Sequence, residues 1–185
     1  MKRILLFLFI CLIQSNTFSQ EKEVASVEKS IFGIQTGLLG LWVHNEARLS
    51  NQFVLRSEIG LDAGFRANSN NILVGLIPTL KLEPRWYYNL DKRLAKGKNI
   101  SKNSGNSLSL NVVYNPDLFV ISNEKNSNVF STIAFIPKWG IKRTYSKHFT
   151  FETGIGVGYG FYSQKYTKES GDVALDLHLR FGYTF

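Results

Sequence analysis

Asp176, His178 and Arg180 recur at every second position, so on an extended chain their side chains leave the same face. An acid beside an imidazole is the pairing that general acid–base chemistry uses, the carboxylate orienting the ring. Acyl transfer or ester hydrolysis would also need a nucleophile, and no serine motif accompanies the trio, so no catalysis is expected. Gly154, Gly156, Gly158 and Gly160 invite a second chemical reading, because glycine clusters can cradle phosphates. Their spacing is strictly two, which lines one strand face, whereas the dinucleotide fingerprint opens a helix with a different spacing. The steric reading is preferred: a stripe without side chains leaves room for Arg and Lys reaching across from the opposite wall. His44 and His148 are isolated and lack metal-ligand spacing. The single cysteine, Cys11, lies in an N-terminal apolar run, so no thiolate site, metal or cofactor is expected.

The chain is basic, with a formal charge of +8. Residues 1–20 begin with Lys2 and Arg3, run apolar from Ile4 to Ile13, and place small residues at Thr17 and Ser19. Residues 1–19 are therefore expected to be a secretory signal peptide, 20–30 a flexible leader and 31–185 the folded domain. Export argues against nucleic acid as the partner of the basic charge. Lys92, Arg93, Lys96, Lys98 and Lys102 gather in one polar connection with Asp91. They read first as a solvated turn, and alternatively as a contact for anionic headgroups or cell-wall polymers.

Strands must position all of these groups. In residues 172–185, Val173, Leu175, Leu177, Leu179, Phe181, Tyr183 and Phe185 share one parity, and Ala174, Asp176, His178, Arg180, Gly182 and Thr184 the other. The same alternation runs through residues 52–66, 72–88, 107–121, 129–145 and 149–161, separated by polar breaks. No segment shows a helical period, so the class is all-β. In residues 31–49 the apolar parity switches at 37–40, where a turn would divide two strands and bring the total to eight. After the signal there is no apolar run long enough for a membrane helix, so a mature membrane protein would have to be a closed barrel.

Two features favour a barrel in lipid over a soluble sandwich. The strands read as about 14 to 18 residues, against a usual five or six, and aromatics gather at strand ends, notably Trp86, Tyr88, Trp139 and Tyr145. The polar parity then encloses Arg56, Glu58, Asp62, Lys81, Glu83, Arg85, Lys138, Lys142, Glu152, Asp176, His178 and Arg180, with Glu46 and Arg48, as a network of paired charges. The terminal alternation ending in Tyr183 and Phe185 resembles the closing strand of bacterial outer-membrane barrels, which the barrel assembly machinery recognises. Residues 31–185 resemble the small outer-membrane barrels of the OmpA/OmpX or porin-like superfamily, without the peptidoglycan-binding domain that follows the barrel in OmpA. The resemblance implies an eight-stranded antiparallel up-and-down transmembrane β-barrel in a Gram-negative cell outer membrane, with lipids as partners. The expected role is structural or surface-interacting, with a charge-filled lumen; the alternatives are a narrow porin-like channel for small solutes or a lipid-modifying enzyme.

Overall fold

The computed structural model describes residues 24–37, 40–68, 71–122, 131–163 and 170–185. The expected signal peptide lies outside them. Nine strand segments follow in chain order: β1 (Ser30–Gly37), β2 (Gly40–Arg48), β3 (Phe53–Asn68), β4 (Asn71–Trp86), β5 (Asn106–Asn115), β6 (Ile121–Ser122), β7 (Ser131–Tyr145), β8 (Phe149–Ser163) and β9 (Ser170–Thr184). Every pairing is antiparallel, and β9 returns to pair with β1, which closes the sheet. Strands β5 and β6 share one place in the wall, since both pair with β4. Pro116, which has no N–H to give the ladder, stands in the gap between them. The fold is therefore all-β, a closed eight-stranded antiparallel up-and-down barrel.

The switch of parity at 37–40 is a hairpin. Gly37 opposes Gly40 and Ile34 opposes Val43, so even positions of β1 and odd positions of β2 share the outer face. The expectation of 14 to 18 residues holds less widely than the alternation. β3, β4, β7, β8 and β9 have 15 or 16 residues, whereas β1, β2 and β5 have 8, 9 and 10.

One end of the barrel, here the near end, gathers the connections 49–52, 87–105 and 146–148 together with Phe185. The connection expected to be irregular contains a short helix, α1 (Leu90–Leu94), and a 3-10 turn (Ser101–Asn103). Five residues give too few turns for a period to register, although Leu90 and Leu94 stand one turn apart. Residues 24–29, expected as part of a flexible leader, are strapped across this end. Ala25 N–H donates to Asp91 Oδ1 (3.0 Å), Val27 N–H to the Asn51 carbonyl (2.8 Å), and Glu28 N–H to Asn103 Oδ1 (2.8 Å). Ala25, Val27, Val54, Tyr87 and Leu90 form a small buried apolar cluster there, with Leu94 and Ile100 packed on it. The strap is held because its backbone donors find acceptors in distant connections and Val27 finds an apolar seat.

Outside, the wall is apolar around its circumference: Phe32, Leu41, Ile59, Leu82, Leu110, Phe135, Val157, Leu177 and Phe181 are all exposed. Inside, the largest fully buried side chains include Arg56, Arg85 and Lys142. No helix among the described residues is long and apolar enough to cross a membrane.

Candidate functional site

The strand pleat brings the charged strand residues singled out in the sequence, Arg48 excepted, to the barrel interior, because each occupies the parity opposite the exposed apolar set. Glu46 is the hub of the near half. Its carboxylate accepts from Arg56 Nη1 (3.1 Å), Lys142 Nζ (2.8 Å) and Asn103 Nδ2 (2.8 Å), and Tyr87 Oη approaches it at 3.4 Å. One residue past β4, Tyr87 is held well above the usual phenol range by burial and then by the Glu46 carboxylate, so it stays a donor. Arg85 pairs with Glu152, which also accepts from Gln35 Nε2 (2.9 Å). Two links join this tier to the next: Arg56 to Glu58 (2.7 Å) and Arg85 to Glu83 (2.8 Å).

Further along, Arg180 Nη1 donates to Glu58 (2.8 Å), and Lys81 Nζ lies 2.8 Å from Asp62. Lys138 spans Glu83 (3.0 Å) and Asp176 (3.3 Å). The trio read as possible acid–base equipment is divided between tasks. Asp176 Oδ1 holds His178 Nδ1 at 2.8 Å, while Arg180 turns away to Glu58. Arg48, counted with the interior charges from its sequence, is exposed at the end of β2. With Arg48 outside, Arg56, Lys81, Arg85, Lys138, Lys142 and Arg180 face Glu46, Glu58, Asp62, Glu83, Glu152 and Asp176, six against six. Burial of so many ions is tolerable only because each is paired at hydrogen-bond distance.

The glycine stripe works differently from its sequence reading. A Cβ on Gly154 would stand 2.7 Å from His178 Cε1, and one on Gly156 2.8 Å from Ile136 Cγ2. Room is made for side chains of the adjacent strands, β9 and β7, rather than for Arg and Lys of the opposite wall.

The far half contains a cavity of about 520 Å³ above the ion pairs. Val113, Ala134 and Ile136 form an apolar cluster along it, with Ala174 against them. At its base are Trp42, Asp62, Lys81, Asn111, Asp176, His178 and Arg180. The Trp42 indole N–H donates to Asp62 (2.6 Å), and the Arg180 guanidinium carbon lies 4.0 Å from its ring centre. Trp42 and His44 are interior residues that the β2 alternation itself could have revealed, once Leu41 and Val43 are taken as outward. Tyr87 and Asn103 carried no local signal, since their roles arise from the fold of the 87–105 connection.

On the outer face, Trp86, Tyr88 and Trp139 form one aromatic patch. Trp86 stacks on Phe53 at 6.0 Å, and Trp139 Nε1 donates to Tyr88 Oη (2.9 Å). Tyr145 opposes Phe149 at the β7–β8 turn, Phe149 meets Tyr183 edge-on at 5.6 Å, and Tyr183 meets Phe185 at 5.3 Å. Phe185 N–H donates to the Phe32 carbonyl (3.0 Å), fastening the end of the sequence to β1. Of the basic connection, Lys92, Lys96 and Lys98 are exposed, Arg93 donates to the Asn99 carbonyl (2.7 Å), and Lys102 Nζ lies 3.0 Å from the Phe185 oxygen.

Comparison of the chain with protein-family models, curated proteins and solved structures finds no match.

Proposed function

We propose that this chain is a small outer-membrane β-barrel protein of the general OmpA/OmpX or porin-like type, with a structural or surface-interaction role and no catalytic chemistry. The carrying observation is its inverted polarity. Ionised side chains such as Glu46, Arg56, Arg85 and Lys142 are fully buried while Leu, Ile, Val and Phe cover the exterior. In water such a surface would aggregate, whereas hydrocarbon solvates it and a closed barrel leaves no backbone group unpaired. The near-end aromatics fit the headgroup level, where amphipathic rings settle. On this reading residues 1–19 export the chain, and Tyr183 and Phe185 are what the assembly machinery grips. Exposed Lys92, Lys96 and Lys98 meet anionic headgroups or cell-wall polymers at the periplasmic rim, and the cavity faces outward. A filled near half disfavours the channel reading, so the protein is expected to hold the membrane barrier intact.

Carbonate extraction of membranes, with gel migration before and after boiling, tests residence. Retention in the pellet and a heat-modifiable band are expected; release into the wash overturns the proposal. Planar-bilayer recordings of the purified protein should be silent, and reproducible single-channel steps would restore the channel.

A further inference from the structure

The far-half cavity has a chemistry that the charge network does not exhaust. Its base is acidic where it meets the space above. Asp62 and Asp176 keep 24 % and 11 % of their side-chain surface exposed, whereas Lys81, Lys138 and Arg180 keep 8 %, 3 % and 5 %. Those three cations are each tied to the deeper carboxylates Glu58 or Glu83. Glu46 and Glu152 pair instead with Arg56, Arg85 and Lys142. Arg56 and Arg85 also reach Glu58 and Glu83, at 2.7 and 2.8 Å, so the two tiers balance together and the carboxylates left facing the cavity are Asp62 and Asp176.

Two acceptors at the same base are buried and uncommitted. His178, whose side chain is 7 % exposed, gives Nδ1–H to Asp176, which as a carboxylate can only accept. That leaves Nε2 of the neutral ring as an acceptor, and it has no hydrogen-bond partner among the described residues. Asn111, 1 % exposed, gives its amide Nδ2 to Asp176 and leaves Oδ1 in the same condition. Arg180 Nε is an unpartnered donor there, but its guanidinium lies against the Trp42 ring. His178 and Asn111 both line the cavity, so a donor group entering it would meet acceptors that have no present partner among the described residues. Above them the wall turns apolar at Val113, Ile136 and Ala174.

We propose that this cavity binds a small organic amine, its ammonium group donating to Asp176, His178 Nε2 and Asn111 Oδ1 and its apolar body lying against Val113, Ile136 and Ala174. An ammonium offers three donors and one positive charge, which matches the acceptors and suits the partly exposed carboxylates of Asp62 and Asp176. The volume suits a ligand of a dozen or so heavy atoms at the lower end of ordinary binding sites. The site is made by the wall itself, so it exists whether lipid or water surrounds the barrel and is independent of the membrane reading.

The probe is benzylamine, with benzyl alcohol and benzoate as shape-matched controls, titrated into the full-length protein in detergent micelles. Trp42 serves as the fluorescent reporter in a W86F/W139F background. Saturable quenching by benzylamine is expected, at least tenfold weaker for benzyl alcohol, weaker still for benzoate, and weakened tenfold or more by Asp176→Asn. Ala174→Phe should abolish it by filling the cavity without removing a charge; if that variant fails to give the heat-modifiable band, Ala134→Leu takes its place. No saturation, equal affinity for the three probes, or binding untouched by the filling substitution would each overturn the proposal.

Discussion

Glu46 shows what a single side chain contributes when it is surrounded by cations in a closed space. Arg56, Lys142 and Arg85 all lie within 3.5 Å of its Oε1, and Asn103 occupies its other oxygen. Removing its charge strands several buried cations, so Glu46→Gln should destabilise by about 3–5 kcal/mol, read as a lower urea midpoint for loss of the folded gel band. Adding Lys142→Met removes one stranded cation, and the double variant should recover part of that loss; strict additivity would deny the coupling. Gly154 makes the complementary point with an absence. His178 Cε1 and the Trp139 carbonyl occupy the space a methyl group would need, at 2.7 and 2.8 Å. Gly154→Ala should therefore cost about 1–3 kcal/mol by overpacking. In a His178→Ala background the same substitution should cost measurably less, and an unchanged penalty would place the clash in the backbone alone.

At the scale of elements, the near end is closed by pieces that are remote in sequence. Residues 24–29, the 49–52 turn and α1 meet over Val54 and Tyr87. Val27 is buried there, so Val27→Asp should undock the strap while the barrel stays closed. Limited proteolysis checks this: the native chain should resist cleavage at Lys29, and the variant should be cut there with the folded gel band retained. Equal resistance would mean that backbone hydrogen bonds alone hold the strap. This end also marks where the sequence stops being legible. The wall could be read because a strand's side-chain period is two, and Leu175, Leu177 and Leu179 against Ala174, Asp176 and His178 announce both faces without knowledge of any partner. The phase switch at 37–40 carried the eighth strand for the same reason. Partners across the lumen have no such local trace. Glu46 and Lys142 are 96 residues apart, and only closure of the barrel sets which cation reaches which carboxylate. Asn103 enters the lumen by way of a left-handed backbone, with φ of 59°, in a connection whose residues show no period at all.

The molecule as a whole is a cylinder whose polarity runs opposite to that of a water-soluble domain, and the surrounding solvent decides what a surface substitution costs. Leu177 on β9 is 71 % exposed and Tyr145, at the β7–β8 turn, 63 %. Were water outside, both would be ordinary surface sites, and arginine at either would change stability by no more than about 0.5 kcal/mol. With lipid outside, depth separates them. Leu177 lies midway along its strand, opposite Ile155, so Leu177→Arg places a charge toward the hydrocarbon midplane at a cost of about 2–4 kcal/mol. Tyr145 sits at the near rim beside Lys147 and His148, where a long cation reaches the headgroups and costs only about 0–1 kcal/mol. The two variants, refolded into phospholipid vesicles and unfolded with guanidinium, should therefore differ by about 2 kcal/mol or more. In detergent micelles, whose thinner apolar layer lets arginine reach water, the difference should shrink. Equal stability of both variants in vesicles would show that Leu177 does not face hydrocarbon, and with it the whole outward belt would need another partner.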